Sequence, residues 1–134
     1  MGRTGRIGTF ACCLGVMLLV LGAATAPGHQ TKSNKGVSVT MHVTPDDEPV
    51  SGQSSRIIVS KVRPSSGSFS FKSCACYLRI SDSAGDVVLN RKVTKRTTRF
   101  TFPRATAYEL VFTGRTKRGG KYKRFRVSFA IRAS

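Results

Sequence analysis

Cys74-Ala75-Cys76-Tyr77-Leu78-Arg79-Ile80-Ser81 alternates with a period of two. Cys74, Cys76, Leu78 and Ile80 fall on one side, and Ala75, Tyr77, Arg79 and Ser81 on the other. That period marks a β-strand with one face against a core. Asp82-Ser83-Ala84-Gly85-Asp86 follows with hairpin-loop composition, and Gly85 is free to take a positive φ. Residues 87–93 then return as the partner strand.

The same alternation extends in both directions. Upstream, Val37, Val39, Met41 and Val43 share one face, and Ser38, Thr40, His42 and Thr44 the other. Pro45-Asp46-Asp47-Glu48-Pro49 ends that strand, because proline cannot donate to a sheet ladder. Residues 56–62 are rich in β-branched side chains and read as the next strand. Downstream, a short strand over residues 99–102 stops at Pro103. Tyr108, Leu110 and Phe112 alternate with Glu109, Val111 and Thr113. A basic turn with Gly119-Gly120 at its tip leads to Phe125, Val127, Phe129 and Ile131, which alternate with Arg124, Arg126, Ser128, Ala130 and Arg132. About seven short strands and no helical period predict an all-β fold, an immunoglobulin-like antiparallel β-sandwich. The chain has no Trp, so Val, Ile, Leu and Phe must form the core. Tyr108, near the start of its strand, resembles the tyrosine corner that ties down a loop in such sandwiches.

The first residues have a different character. Arg3 and Arg6 precede an apolar run over residues 7–21, and the small residues Gly22-Ala23-Ala24-Thr25-Ala26 follow. A basic start, a short apolar core and an A-x-A end predict a secretory signal-peptide helix over residues 1–26. The run is shorter than the roughly 20 residues of a spanning helix. The expected location is therefore periplasmic or extracellular, with a membrane tether through an uncleaved anchor as the alternative. Residues 27–36 read as a flexible polar lead-in, and residues 37–134 as one domain. Cys12 and Cys13 sit within the apolar run as small residues.

Charge narrows the partners. The chain carries 23 Lys and Arg against 6 acids, a net +17. Such a balance favours anionic surfaces, and export makes lipid or polysaccharide, or another envelope protein, more plausible than specific nucleic acid. Two basic clusters are the candidate polyanion contacts: Arg91, Lys92, Lys95, Arg96 and Arg99; then Arg115, Lys117, Arg118, Lys121, Lys123 and Arg124. Tyr122 interleaves the second, where a ring could stack. No nucleophile elbow, phosphate-cradling loop or H-E-x-x-H is present, so no enzyme is expected. Asp46-Asp47-Glu48 reads as a solvated turn with at most weak cation affinity.

Cys74 and Cys76 leave several chemistries open. Residues two apart in a strand lie roughly 6.5–7 Å apart, the upper edge of disulfide geometry, so a bond between them would be strained. Two thiolates on one face could instead hold a soft ion such as copper(I), with no other cofactor expected. Equally, inward cysteines behave as small apolar residues, and an intermolecular disulfide is the remaining alternative. His29 offers a second copper idea: cleavage after Ala26 would leave Pro27-Gly28-His29 at the amino terminus.

Four motifs together resemble a group of small exported immunoglobulin-like proteins best represented in cyanobacteria. They are the Val-x-Val strand leading to Pro45 and Pro49; Cys74-x-Cys76-x-Leu78-x-Ile80 with Asp82 and Gly85; Phe100-x-Phe102-Pro103; and Ala107-Tyr108-Glu109-Leu110 running into Gly114 and a Phe-rich closing strand. The layout is more distantly similar to exported copper-handling sandwiches of CopC and YtkA-like type, although the His- or Met-rich sites of those proteins are not matched. Ala105-Thr106-Ala107 also departs from the pattern, where a glycine often precedes the tyrosine. The resemblance implies an exported sandwich. The expected function is a non-catalytic binding or accessory module of the cell envelope with a basic surface. Soft-metal or thiol-redox handling by Cys74 and Cys76 is the alternative.

Overall fold

The computed structural model describes residues 29–118 and 120–134. The expected signal peptide, with Cys12 and Cys13, lies outside them. The chain forms β1 (Gln30–Asn34), β2 (Val37–Val43), β3 (Ser54–Pro64), β4 (Cys74–Asp82), β5 (Val87–Val93), β6 (Thr97–Thr101), β7 (Ala107–Thr116) and β8 (Phe125–Arg132). Two four-stranded sheets result, in the orders β1-β2-β3-β6 and β5-β4-β7-β8. Every neighbouring pair is antiparallel.

The inward phase read from the sequence is the phase of burial. Val37, Val39, Met41 and Val43 of β2 face Leu78, Ile80, Leu110, Phe112, Phe125 and Phe129 of the other sheet, all essentially solvent-free. Each such side chain stabilises the fold by about 1.5–3 kcal/mol on leaving water. Asp82 is also buried, and it shapes the β4–β5 turn. Its Oδ1 accepts the Ala84 and Asp86 amides at 3.0 and 2.9 Å, and Oδ2 pairs with Arg104. Gly85 takes φ +88 at the turn, as its position predicts. Tyr108 ties the loop before β7: its hydroxyl donates to the Arg104 carbonyl at 2.9 Å and accepts from the Arg104 amide at 3.0 Å.

The polar lead-in is where the structure departs from expectation. It contains β1, which brings the strand count to eight rather than about seven. No apolar residue drives this strand inward. Instead Lys35 and Gly36 both take positive φ, 47 and 77, which suits the tight two-residue hairpin turn to β2. Hydroxyl pairs Thr31–Thr40 and Ser33–Ser38, at 2.9 and 2.7 Å, cross the ladder. Two side-chain amides then reach the other sheet: Gln30 Nε2 donates to the Ala130 carbonyl at 3.0 Å, and Asn34 Oδ1 accepts the Arg126 amide at 3.1 Å.

Candidate polyanion-binding face

The outer side of the β5-β4-β7-β8 sheet carries a cationic surface built at every second residue of four strands. Tyr77 lies opposite Lys92 on β5 and Thr113 on β7, and Thr113 lies opposite Arg126 on β8. In the adjacent row Arg79 lies between Asn90 and Val111. Arg124, just before β8, joins them around a shallow depression of ≈ 320 Å³. Val111 points outward by phase yet is only 6% exposed, so its neighbours' side chains cover it. Long arginine stems do this while leaving their charged heads in water. Tyr77 is 45% exposed and offers a ring face at the surface.

Among the described residues no carboxylate forms a salt bridge with these cations. The ion pair among the described residues is Arg104–Asp82, and His42 lies 3.0 Å from Asp47, both elsewhere. Glu109, the acid on this face, is engaged by the Ser128 hydroxyl at 2.5 Å. Unpaired guanidinium groups beside an exposed aromatic ring suit anionic groups carried on a ring-containing polymer.

The structure redistributes the two sequence clusters. Arg124 lines the depression and Arg115 stands on the same face of β7, whereas Lys92, opposite Tyr77, also lines the neighbouring cleft between β5 and β6. Arg91, Lys95 and Arg99 line that same cleft of ≈ 330 Å³ where the edges of β5 and β6 approach each other. Cations on exposed edge strands discourage edge-to-edge pairing, a sufficient reason for them there. Arg96 holds the β5–β6 connection, donating from Nη1 to the Ser60 carbonyl at 3.2 Å while its own carbonyl accepts the Val59 amide at 2.9 Å. Lys117 Nζ donates to the Lys72 carbonyl at 2.9 Å. Lys121 and Lys123 border a third depression with Lys35. Arg118 is exposed in the β7–β8 connection.

Tyr122 is corrected by the structure. It is 7% exposed, against Phe69 and Phe125 at ring separations of 6.1 Å each, and cannot present a stacking face. Burial pushes its phenol pKa above the ordinary 10.0. Tyr77 has the exposure that Tyr122 lacks.

Cys74 and Cys76 are bonded to each other, with Cα atoms 5.3 Å apart. The local backbone is therefore shorter than an ideal extended strand and falls within the usual disulfide range of about 4.4–6.8 Å. Both residues are at most 1% exposed. As a disulfide the pair offers no thiolate to an ion; only the reduced pair could bind one. The bond closes a loop with a sequence separation of 2, so it removes little chain entropy. Reduction is expected to lower unfolding free energy by only about 1.5 kcal/mol. Urea unfolding with and without reductant measures this, and a loss of several kcal/mol would contradict it. Comparison with family models, curated proteins and solved structures finds no match to this chain.

Proposed function

We propose that this chain is an exported, non-catalytic immunoglobulin-like module that binds acidic polysaccharide through the outer face of its β5-β4-β7-β8 sheet. The observation that carries this reading is the unpaired arginine group, Arg79, Arg124 and Arg126, around exposed Tyr77. The sheet order supports the fold reading, since it matches the order of one layer in immunoglobulin-like sandwiches. So does the tyrosine tie at the start of β7. The amino-terminal pattern over residues 1–26 supports export. Polysaccharide is favoured over lipid because the exposed large apolar side chains are Tyr77 and Val87 alone among the described residues, too few to insert into a bilayer.

The deciding experiment compares retention on immobilised dextran sulfate with retention on phosphatidylglycerol vesicles. We expect binding to the polysaccharide at low salt that falls steeply as exposed charges are screened. Tyr77→Ala should weaken polysaccharide binding by about tenfold, the loss of one stacking contact worth roughly 1–3 kcal/mol. Stronger binding to vesicles, or indifference to Tyr77, would exclude this reading. The second reading, redox or soft-metal use of Cys74 and Cys76, rests on a bonded pair two residues apart in one strand. It ranks lower because both sulfurs lie inside the core, so β4 must open before a partner can reach them.

A further inference from the structure

The geometry points to a zinc site formed by His29, His42 and Asp47, at the start of β1 and the end of β2. It is independent of the polysaccharide face. Pairing of Gln30 with Met41 brings the preceding residue, His29, beside His42 across the ladder. Their rings lie 4.7 Å apart, tilted by 38°. Asp47 enters from the turn after β2, where its positive φ of 60 and that of Asp46, 46, fold the chain back. Its amide donates to the Val43 carbonyl at 2.7 Å, and its Oδ1 accepts the Val43 amide at 2.6 Å. The carboxylate is thus held in place by the backbone, the support that metal-ligating carboxylates commonly have.

One ligand atom from each of the three residues lies within 4.8 Å of the others. His42 Nδ1 is buried and makes no hydrogen bond, although Asp47 Oδ1 is 3.0 Å away. A buried imidazole nitrogen without a hydrogen-bond partner is costly unless something else occupies it. Two tetrahedral ligands each about 2.0–2.1 Å from one ion sit about 3.3 Å apart, so the 3.0 Å His42–Asp47 spacing needs to open by only a few tenths of an ångström to share an ion. Two imidazoles and a carboxylate form a borderline donor set that fits zinc, with a fourth position left for water. Local charge favours a cation even in this basic chain, because three of its six acids are Asp46, Asp47 and Glu48. The ion would clip the start of β1, which carries no apolar anchor, to the β2 turn.

The chain contains two histidines, so their imidazole NMR signals report the site directly. On adding one equivalent of zinc chloride to the EDTA-treated full chain, both signals are expected to shift together and the thermal midpoint to rise. Calorimetry should show one zinc per chain, weakened by about tenfold or more in His42→Ala and in Asp47→Asn. Should His42→Ala fail to fold by circular dichroism, Asp47→Asn and the wild-type imidazole shifts decide. No zinc binding overturns the assignment. So does binding that moves only His29, or that is lost in His29→Ala but intact in the other two variants, which would place the ion at the chain's start.

Discussion

Arg79→Glu/Arg126→Glu is expected to elute from dextran sulfate at much lower salt than the unaltered chain, with affinity reduced at least tenfold at about 0.1 M ionic strength. The two positions stand on β4 and β8, on either side of β7, and line the same depression. Reversal removes two attractive contacts and adds two repulsive ones on the face itself. Each exposed contact is worth about 0.2–1 kcal/mol, so four together come to about 0.8–4 kcal/mol, a range centred above the 1.4 kcal/mol of a tenfold change. The matched control is Lys95→Glu/Arg99→Glu, the same change in net charge in the cleft between β5 and β6. It should lose far less. Equal losses in the two variants would mean that the chain's +17 acts as a whole and that no face is specialised. All four side chains are exposed, so circular dichroism should be unchanged in both variants, with a small fall in thermal midpoint in the first as Val111 loses arginine cover.

Gly114→Ala should be among the most damaging single substitutions in the fold, lowering unfolding free energy by about 3 kcal/mol. Gly114 lies on β7 between Cys76 of β4 and Phe125 of β8, on the inward side. A Cβ there would sit 2.6 Å from Phe125 Cε1 and 3.0 Å from Cys74 Sγ. Neither neighbour can retreat. Phe125 is 1% exposed, with Phe112 and Tyr122 rings 5.8 and 6.1 Å away. Cys74 is bonded to Cys76. The absent side chain is what lets the Phe125 ring lie across β7 and cover the disulfide. Urea unfolding is the measurement, and a thermal midpoint lower by more than about 10 °C should accompany it. Gly114→Ala/Phe125→Leu should recover part of the loss by making room. A single-variant cost under about 1 kcal/mol would show that the ring has space to move.

Much of the architecture was legible because it follows from local periodicity. The alternation of Val37 to Val43, Cys74 to Ile80 and Phe125 to Ile131 is the alternation of burial in β2, β4 and β8. The proline-bounded acidic turn and the Asp82–Asp86 hairpin also carried their own turn chemistry. What escaped is non-local. β1 has no apolar face, and its pairing partner and the carbonyl and amide of β8 that fix it lie elsewhere in the chain. Lys35-Gly36 is the available signal, a hairpin turn between a polar run and the alternating strand β2. The cationic face was missed for a related reason. Basic clusters in a sequence are runs of consecutive residues near turns, whereas a sheet surface collects one residue in two from four strands. Local alternation phases Arg79 and Arg126 outward with Tyr77, but nothing local says that their strands flank β7. The same limit applies in reverse to Tyr122, flanked by lysines in sequence and by aromatic rings in space. His29 and His42 are thirteen positions apart in the chain, and only the ladder register of β1 and β2 brings them together.

Because Gln30 and Asn34 bond to the main chain of β8, the first strand belongs to both layers at once. The molecule is a flattened cylinder stitched along one seam and unlaced along the other, between β5 and β6. A fibre that grows by strand addition needs two complementary edges on every subunit, one to accept and one to offer. Here the edges of β1 and β8 are tied to each other by the Gln30 and Asn34 side chains, and those of β5 and β6 carry Arg91, Lys95 and Arg99. Both seams are therefore poor templates for edge-to-edge stacking of copies.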